Sequence, residues 1–102
     1  MSNAATNYDN NVVGPILRQG DVAKAVADAA ETDNPGKKIS ISDMVAYVRV
    51  QTDGEMTIRR STIEEMLGRP FKMNDLEINL ASFAGRIETD PEYVRFYFVK
   101  QL

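Results

Sequence analysis

Carboxylates are the side chains of this sequence best suited to serve as general acids or metal ligands. The 102-residue chain contains no histidine and no cysteine. That excludes an imidazole base, a thiolate nucleophile, a structural zinc site, and haem or iron–sulfur ligation. A metal held by carboxylates alone suits Mg²⁺ or Ca²⁺. The acidic residues come closest to a cluster at Glu64-Glu65 and at Asp75 and Glu77, which would make the chain a Mg²⁺-dependent enzyme. A structural role explains the same residues, because acidic side chains near helix starts are favoured by the helix dipole. Gly68-Arg69-Pro70 lacks the spaced glycines and the Lys-Ser/Thr of a phosphate loop. The composition therefore points to a non-catalytic binding or regulatory module with no catalytic residue, metal site or cofactor.

Other residue groupings suit a protein partner. Ala81-Ser82-Phe83-Ala84-Gly85 concentrates small side chains, which lets a partner helix approach the backbone, or lets the chain pack tightly on itself. Asp33-Asn34-Pro35-Gly36 sets polar groups on a turn, where binding residues often sit; a plain helix stop explains it equally. Val45, Tyr47, Tyr93 and Tyr97 add apolar and aromatic surface to otherwise polar faces, which suits an interface or a sheet face lying under a helix.

Charge and hydropathy narrow the class. Twelve Lys and Arg against fifteen Asp and Glu leave a net charge of −3, and the basic residues are scattered, so the phosphate-neutralising face of a nucleic-acid binder is not expected. No apolar stretch approaches the length of a membrane span, and the first residues have no signal-peptide pattern. Together with the lack of cysteine this leads to a cytoplasmic protein, with no nucleic acid and no membrane among its partners.

The elements that must position these residues follow from periodicity. Residues 1–11 are polar and read as a flexible tail, with one domain over 12–102. Val12 to Leu17, broken by Gly14-Pro15, reads as an edge or bulged strand. Val22, Ala25, Val26, Ala29 and Ala30 recur at helical spacing behind Asp21 as N-cap, and Pro35-Gly36 stops the helix. Ile39 and Ile41 mark a short strand. A hairpin is expected from Ala46 to Arg60, with a three-residue Thr52-Asp53-Gly54 loop setting Val50 opposite Met56 and Val48 opposite Ile58. Ser61-Thr62-Ile63-Glu64 reads as a capping box opening a helix that Gly68 and Pro70 end. Residues 72–80 fit a short helix or a loop leading into a strand. A second hairpin is expected with a four-residue loop, Thr89 to Glu92, pairing Ile87 with Val94, Gly85 with Phe96 and Phe83 with Phe98. In that register Arg86 faces Arg95, and two like charges would call for a partner carboxylate or for Glu88 on the diagonal. The expected fold is α+β, a single domain with a mostly antiparallel sheet and two hairpins packed against two or three short helices, in the order β-α-β-β-β-α-(α)-β-β.

Five segments also carry a resemblance: Asn11-Val12-Val13-Gly14-Pro15-Ile16, Asp33-Asn34-Pro35-Gly36-Lys37, Ala46-Tyr47-Val48-Arg49, Leu67-Gly68-Arg69-Pro70-Phe71 and Glu77-Ile78-Asn79-Leu80-Ala81-Ser82-Phe83-Ala84-Gly85. In this order and spacing they resemble the effector, or coupling, proteins of bacterial multicomponent di-iron monooxygenases, nearest to the toluene/xylene (aromatic) branch, over residues 11–98. The resemblance implies a cofactor-free effector domain at 12–102, monomeric when free, that docks on a separate di-iron hydroxylase and tunes its active site, turnover, coupling and regioselectivity. Within the matching segments, Asn34, Arg69, Asn79, Ser82 and Phe83 are the positions expected to meet the partner, joined by Arg86 and Arg95 from the charge argument. The alternative is a stand-alone small-molecule-binding regulatory α+β domain.

Overall fold

Along residues 47–59 apolar and polar side chains alternate almost without interruption, and the chain forms one long extended run bent at Gly54. Tyr47–Asp53 (β3) lies in one sheet and Glu55–Arg59 (β4) in another. Gly54 takes a φ of 84° at the corner, where its N–H donates to the carbonyl of Asn11 (2.9 Å) and its own carbonyl accepts from the N–H of Phe98 (2.9 Å). A second corner at Gly85 (φ 86°) joins Leu80–Ala84 (β5) to Arg86–Thr89 (β6) in the same way. Strands that change sheet at a bend are how two sheets share one core at a steep angle.

The computed structural model describes residues 11–99, so residues 1–10 of the stretch read as a tail lie outside the described residues. The remaining elements are Val12–Arg18 (β1), Asp21–Asp33 (α1), Ser40–Asp43 (β2), Arg60–Leu67 (α2), Met73–Asn79 (α3) and Tyr93–Tyr97 (β7). One sheet has the order β2-β3-β1-β5 and the other β4-β7-β6, and every pairing is antiparallel. Val13, Leu17, Val48 and Val50 of the first sheet and Met56, Ile58, Val94 and Phe96 of the second are buried. Helix α1 adds Val22, Ala25, Val26, Ala29 and Ala30, the stripe its spacing predicts, and Ile63, Phe71, Met73 and Leu76 complete the core. The small side chains of α1 let it lie close to its neighbours.

The α+β class and the single core hold, with three helices and two sheets among the described residues where one sheet is expected. Four local expectations are corrected. The Ala46–Arg60 hairpin does not form: Val50 pairs with Ile41 and Met56 with Phe96. An Asp-Gly between alternating strands serves a corner as well as a hairpin, and only the non-local partners choose between them. The hairpin that does form joins β2 to β3 around Met44-Val45-Ala46. Strand β1 is central, not an edge. It is bulged, as the other half of that expectation has it, with its register on β5 shifting between Ile16 and Leu17. The β6–β7 hairpin forms two residues out of the expected register, with Ile87 opposite Phe96 and Glu88 opposite Arg95. A shift of two leaves the faces unchanged, so the apolar pattern could not decide it. The capping box is also absent. Helix α2 starts at Arg60 with no side-chain cap; the Arg60 N–H donates to the Glu92 carbonyl (2.8 Å), and Asp33 at the end of α1 ties the helix start down by accepting from the Arg59 N–H (2.8 Å) and the Thr62 hydroxyl (2.8 Å).

Candidate docking surface

The acidic residues that could do chemistry turn out to be occupied or apart. Glu64 accepts the backbone N–H of Phe71 (2.8 Å) and pairs with Arg60 (2.8 Å). The Phe71 N–H, then the Arg60 charge, hold its carboxyl below the usual glutamate range. Arg60 also reaches Glu92 (2.9 Å), so α2 and the β6–β7 turn are clamped together. Glu65, Asp75 and Glu77 are exposed. Among the described residues no three His, Cys, Asp or Glu side chains gather as a metal site. A surface groove of about 860 Å³ runs past Arg60, Glu64, Lys72, Asp75, Asp90 and Glu92. Arg60 in that lining bonds both Glu64 and Glu92.

The residues expected at a partner interface separate into two groups. Asn34 is half-buried and works inside the fold: its Nδ2 donates to the carbonyls of Ala30 (2.7 Å) and Thr57 (2.9 Å), and its Oδ1 accepts the Thr57 N–H (3.0 Å). Its amide thus completes the open edge of β4 as another strand would. Arg95 bonds Glu55 (2.6 Å) and Glu88 (3.1 Å) and stacks 4.2 Å from the ring centre of Tyr97. The expected repulsion between Arg86 and Arg95 does not arise, since Arg86 stands opposite Tyr97. Glu88 accepts the Tyr93 hydroxyl at 2.5 Å; that bond, then Arg95, lowers the Glu88 pKa, while the same bond and burial raise that of Tyr93 against the opposing charge of Arg95.

The other group is accessible. Ser82 and Phe83 lie exposed on β5, an outer strand of the four-stranded sheet, and Arg86 lies exposed beyond the Gly85 corner. Phe83 covers the sheet margin, its ring 6.1 Å from that of Phe96. Asn79 ends α3 with its side chain on the Asp75 carbonyl (3.0 Å), while Arg69 pairs with Asp21 (2.9 Å) across two helix ends. The expected surface is therefore not one patch: Asn79, Ser82, Phe83 and Arg86 follow one another along a single stretch of chain, and Arg69 lies beside the start of α1.

Sequence reasoning marked Val45 and Tyr47 as surface suited to an interface, or to a sheet face under a helix, but missed the turn that joins them to Met44 at the end of the four-stranded sheet, where β2 turns into β3. Met44 (48% exposed), Val45 (87%) and Tyr47 (44%) gather there. Val45 is the one non-glycine among the described residues with positive φ, 68°. The Ala46 N–H donates to the Met44 carbonyl (2.8 Å) across it, a γ-turn of the rare, strained hand. A β-branched residue in that conformation costs about 1–3 kcal/mol. No Gly or Asn announces this turn, so composition could not reveal it.

The face of this sheet directed away from the core carries Ser42, Arg49, Ile16 and Ser82 in one row of paired positions. Nε of Arg49 is buried there with no hydrogen-bond partner among the described residues.

Comparison with known proteins places these features in context. The sequence profile of the MmoB/DmpM family matches residues 11–97. The effector subunit of the alkene monooxygenase system of Xanthobacter autotrophicus is 41% identical over 99 residues, which is 96% of this chain and 98% of that protein. The stimulatory component DmpM of phenol 2-monooxygenase from a Pseudomonas species is 27% identical, over 81% of this chain and 90% of its own. In the solved structure of a phenol hydroxylase–regulatory protein complex, one chain superposes with a TM-score of 0.74 at 27% identity, covering 86% of this chain and 99% of that one.

Proposed function

This chain belongs to the MmoB/DmpM family of monooxygenase effector proteins, and from that premise we propose that it docks on a di-iron hydroxylase and tunes that enzyme's active site. The observation that carries this reading is the end-to-end match to an effector subunit, 41% identical over 96% of this chain. With no histidine or cysteine in the sequence, the iron ligands and the oxygen chemistry belong to the partner. The protein works in the cytoplasm beside it, monomeric when free, with residues 12–102 as the docking domain. Ser82, Phe83, Arg86, Asn79 and Arg69 meet the partner directly. Asn34 and Arg95 shape the surface from within, through the bonds they make.

Tuning of this kind is a population shift. An effector changes turnover and coupling only by binding one state of the hydroxylase more tightly than the other, and that requires a shape-matched interface of roughly 1,200–2,000 Å². The chain's own motifs lead us to an aromatic, toluene/xylene-type substrate, with regioselectivity among the properties tuned. A small alkene is the second reading, favoured by the alkene system of the 41%-identical relative.

Reconstitution with hydroxylase, reductase and ferredoxin tests both. Added protein should raise the rate and the product formed per NADH consumed, and the change in toluene product distribution compared with alkene epoxidation separates the substrates. No change in rate or coupling with either substrate would rule the effector reading out.

A further inference from the structure

The γ-turn at Val45 is held by more bonds than a hairpin tip needs. The Met44 N–H donates to Tyr47 (2.7 Å), the Ala46 N–H to Met44 (2.8 Å) and the Gln19 N–H to the Ala46 carbonyl (2.9 Å). The Asp43 carboxylate accepts from the Val45 N–H (3.0 Å) and from Nε2 of Gln19 (2.9 Å), which also donates to the Val45 carbonyl (3.3 Å). Together these overdetermine a backbone that valine resists, in order to display a valine to solvent at 87% exposure. Glycine or asparagine would make the same turn with less strain. Strain kept in place by surrounding bonds is a mark of function. A β-branched side chain on a pinned turn also loses little freedom on being buried by a partner.

Charge identifies what lies beside it. Tyr47 and Arg49 share the outer face of β3, and Arg18 stands opposite Tyr47. The carboxylate nearest in sequence on that face is Asp53, at the far end of the strand, while the Asp43 carboxylate is taken up by Gln19 and the Val45 N–H. An apolar tip with two arginines behind it complements an apolar cleft flanked by a carboxylate.

We propose that the β2–β3 tip is a preformed apolar peg that seats Val45 in a cleft of the hydroxylase, where Arg49 receives a partner carboxylate. The proposal rests on the effector reading, and its experiment separates the two. Val45→Gly, Arg49→Glu and a control Lys24→Glu on the exposed side of α1 are compared with the native protein. Hydroxylase affinity is measured by calorimetry, stimulation by turnover, and stability by thermal unfolding. Val45→Gly should unfold at a higher temperature than the native protein and yet bind at least tenfold more weakly, a combination that a purely structural role for Val45 cannot produce. Arg49→Glu should also bind at least tenfold more weakly and Lys24→Glu within twofold of native. Native affinity in Val45→Gly or in Arg49→Glu overturns the proposal while leaving the effector reading intact, and a lower unfolding temperature for Val45→Gly overturns the strain on which the peg rests. Self-association of the native protein that Val45→Gly abolishes assigns the peg to a second copy and overturns it too. A native protein that neither binds nor stimulates the hydroxylase overturns the effector reading, and the peg with it.

Discussion

A Cβ added at position 85 would lie 2.7 Å from Cγ1 of Val13 and 2.8 Å from the Tyr97 carbonyl oxygen, whereas one at position 54 would meet nothing within 4 Å. Both glycines have φ near 85° (86° and 84°), so alanine pays the same backbone penalty at each, about 1–2 kcal/mol. At Gly85 the steric clash adds about 1–3 kcal/mol more. Urea unfolding should therefore rank Gly85→Ala well below Gly54→Ala, and equal losses would show that backbone conformation alone, without the clash, sets the cost at both corners. The Tyr93–Glu88–Arg95 cluster gives a pH prediction. The folded pKa of Glu88 lies below its unfolded value, so its contribution to stability is present above the ordinary glutamate range and is lost as pH falls through the depressed folded value. Tyr93→Phe removes the largest cause of that depression. The Glu88 carboxyl, followed by NMR, should titrate at higher pH in the variant, and stability should vary less steeply with acid. An unmoved Glu88 titration would assign the shift to Arg95 instead.

At the scale of elements, the end of α1 does work that its own helix does not require. Asp33 bonds the Arg59 N–H and the Thr62 hydroxyl at the start of α2, and Asn34 seals the free edge of β4, so one turn fixes two neighbours by side-chain bonds alone. Asp33→Ala should cost about 1.5 kcal/mol, the low end for lost hydrogen bonds to a charged group. Ser61→Ala should stay within about 0.5 kcal/mol, because Ser61 is exposed and α2 has no side-chain cap bond of its own. Chemical denaturation of the two variants reverses in order if the capping box, rather than Asp33, starts the helix. The same elements show how far local signals reach. The stripe of α1, its stop at Asn34 and the left-handed Gly68 ending α2 (φ 76°) are all legible in the sequence, since each depends on residues within one or two turns. The tie from Asp33 to the start of α2 was not legible, because its N–H partner lies 26 residues away.

For the molecule as a whole, the four-stranded sheet brings together residues that the sequence holds far apart. Ser82 pairs with Ile16, which pairs with Arg49, which pairs with Ser42. Ser82→Arg on this sheet should weaken hydroxylase binding by tenfold or more, about 1.4 kcal/mol, with the unfolding temperature unchanged. Native affinity in a folded Ser82→Arg would remove Ser82 from the interface. The strained turn that displays Val45 and the Arg49 Nε that finds no partner among the described residues were not readable from the chain. Val45 looks like any strand residue until its φ is known, and a buried Nε is a property of a packed sheet. By itself the sequence determined the class of the protein, because the lack of histidine and cysteine, the scattered charge and the apolar periods are local or compositional facts. It determined most helices, strands and glycine turns for the same reason. Which strands pair, that Gly54 and Gly85 are corners, and which side chains remain free to meet a partner were decided only in the tertiary structure. A period-two pattern fixes the face of each strand but leaves its neighbour open, and the energy that selects the neighbour comes from burying both faces in a common core.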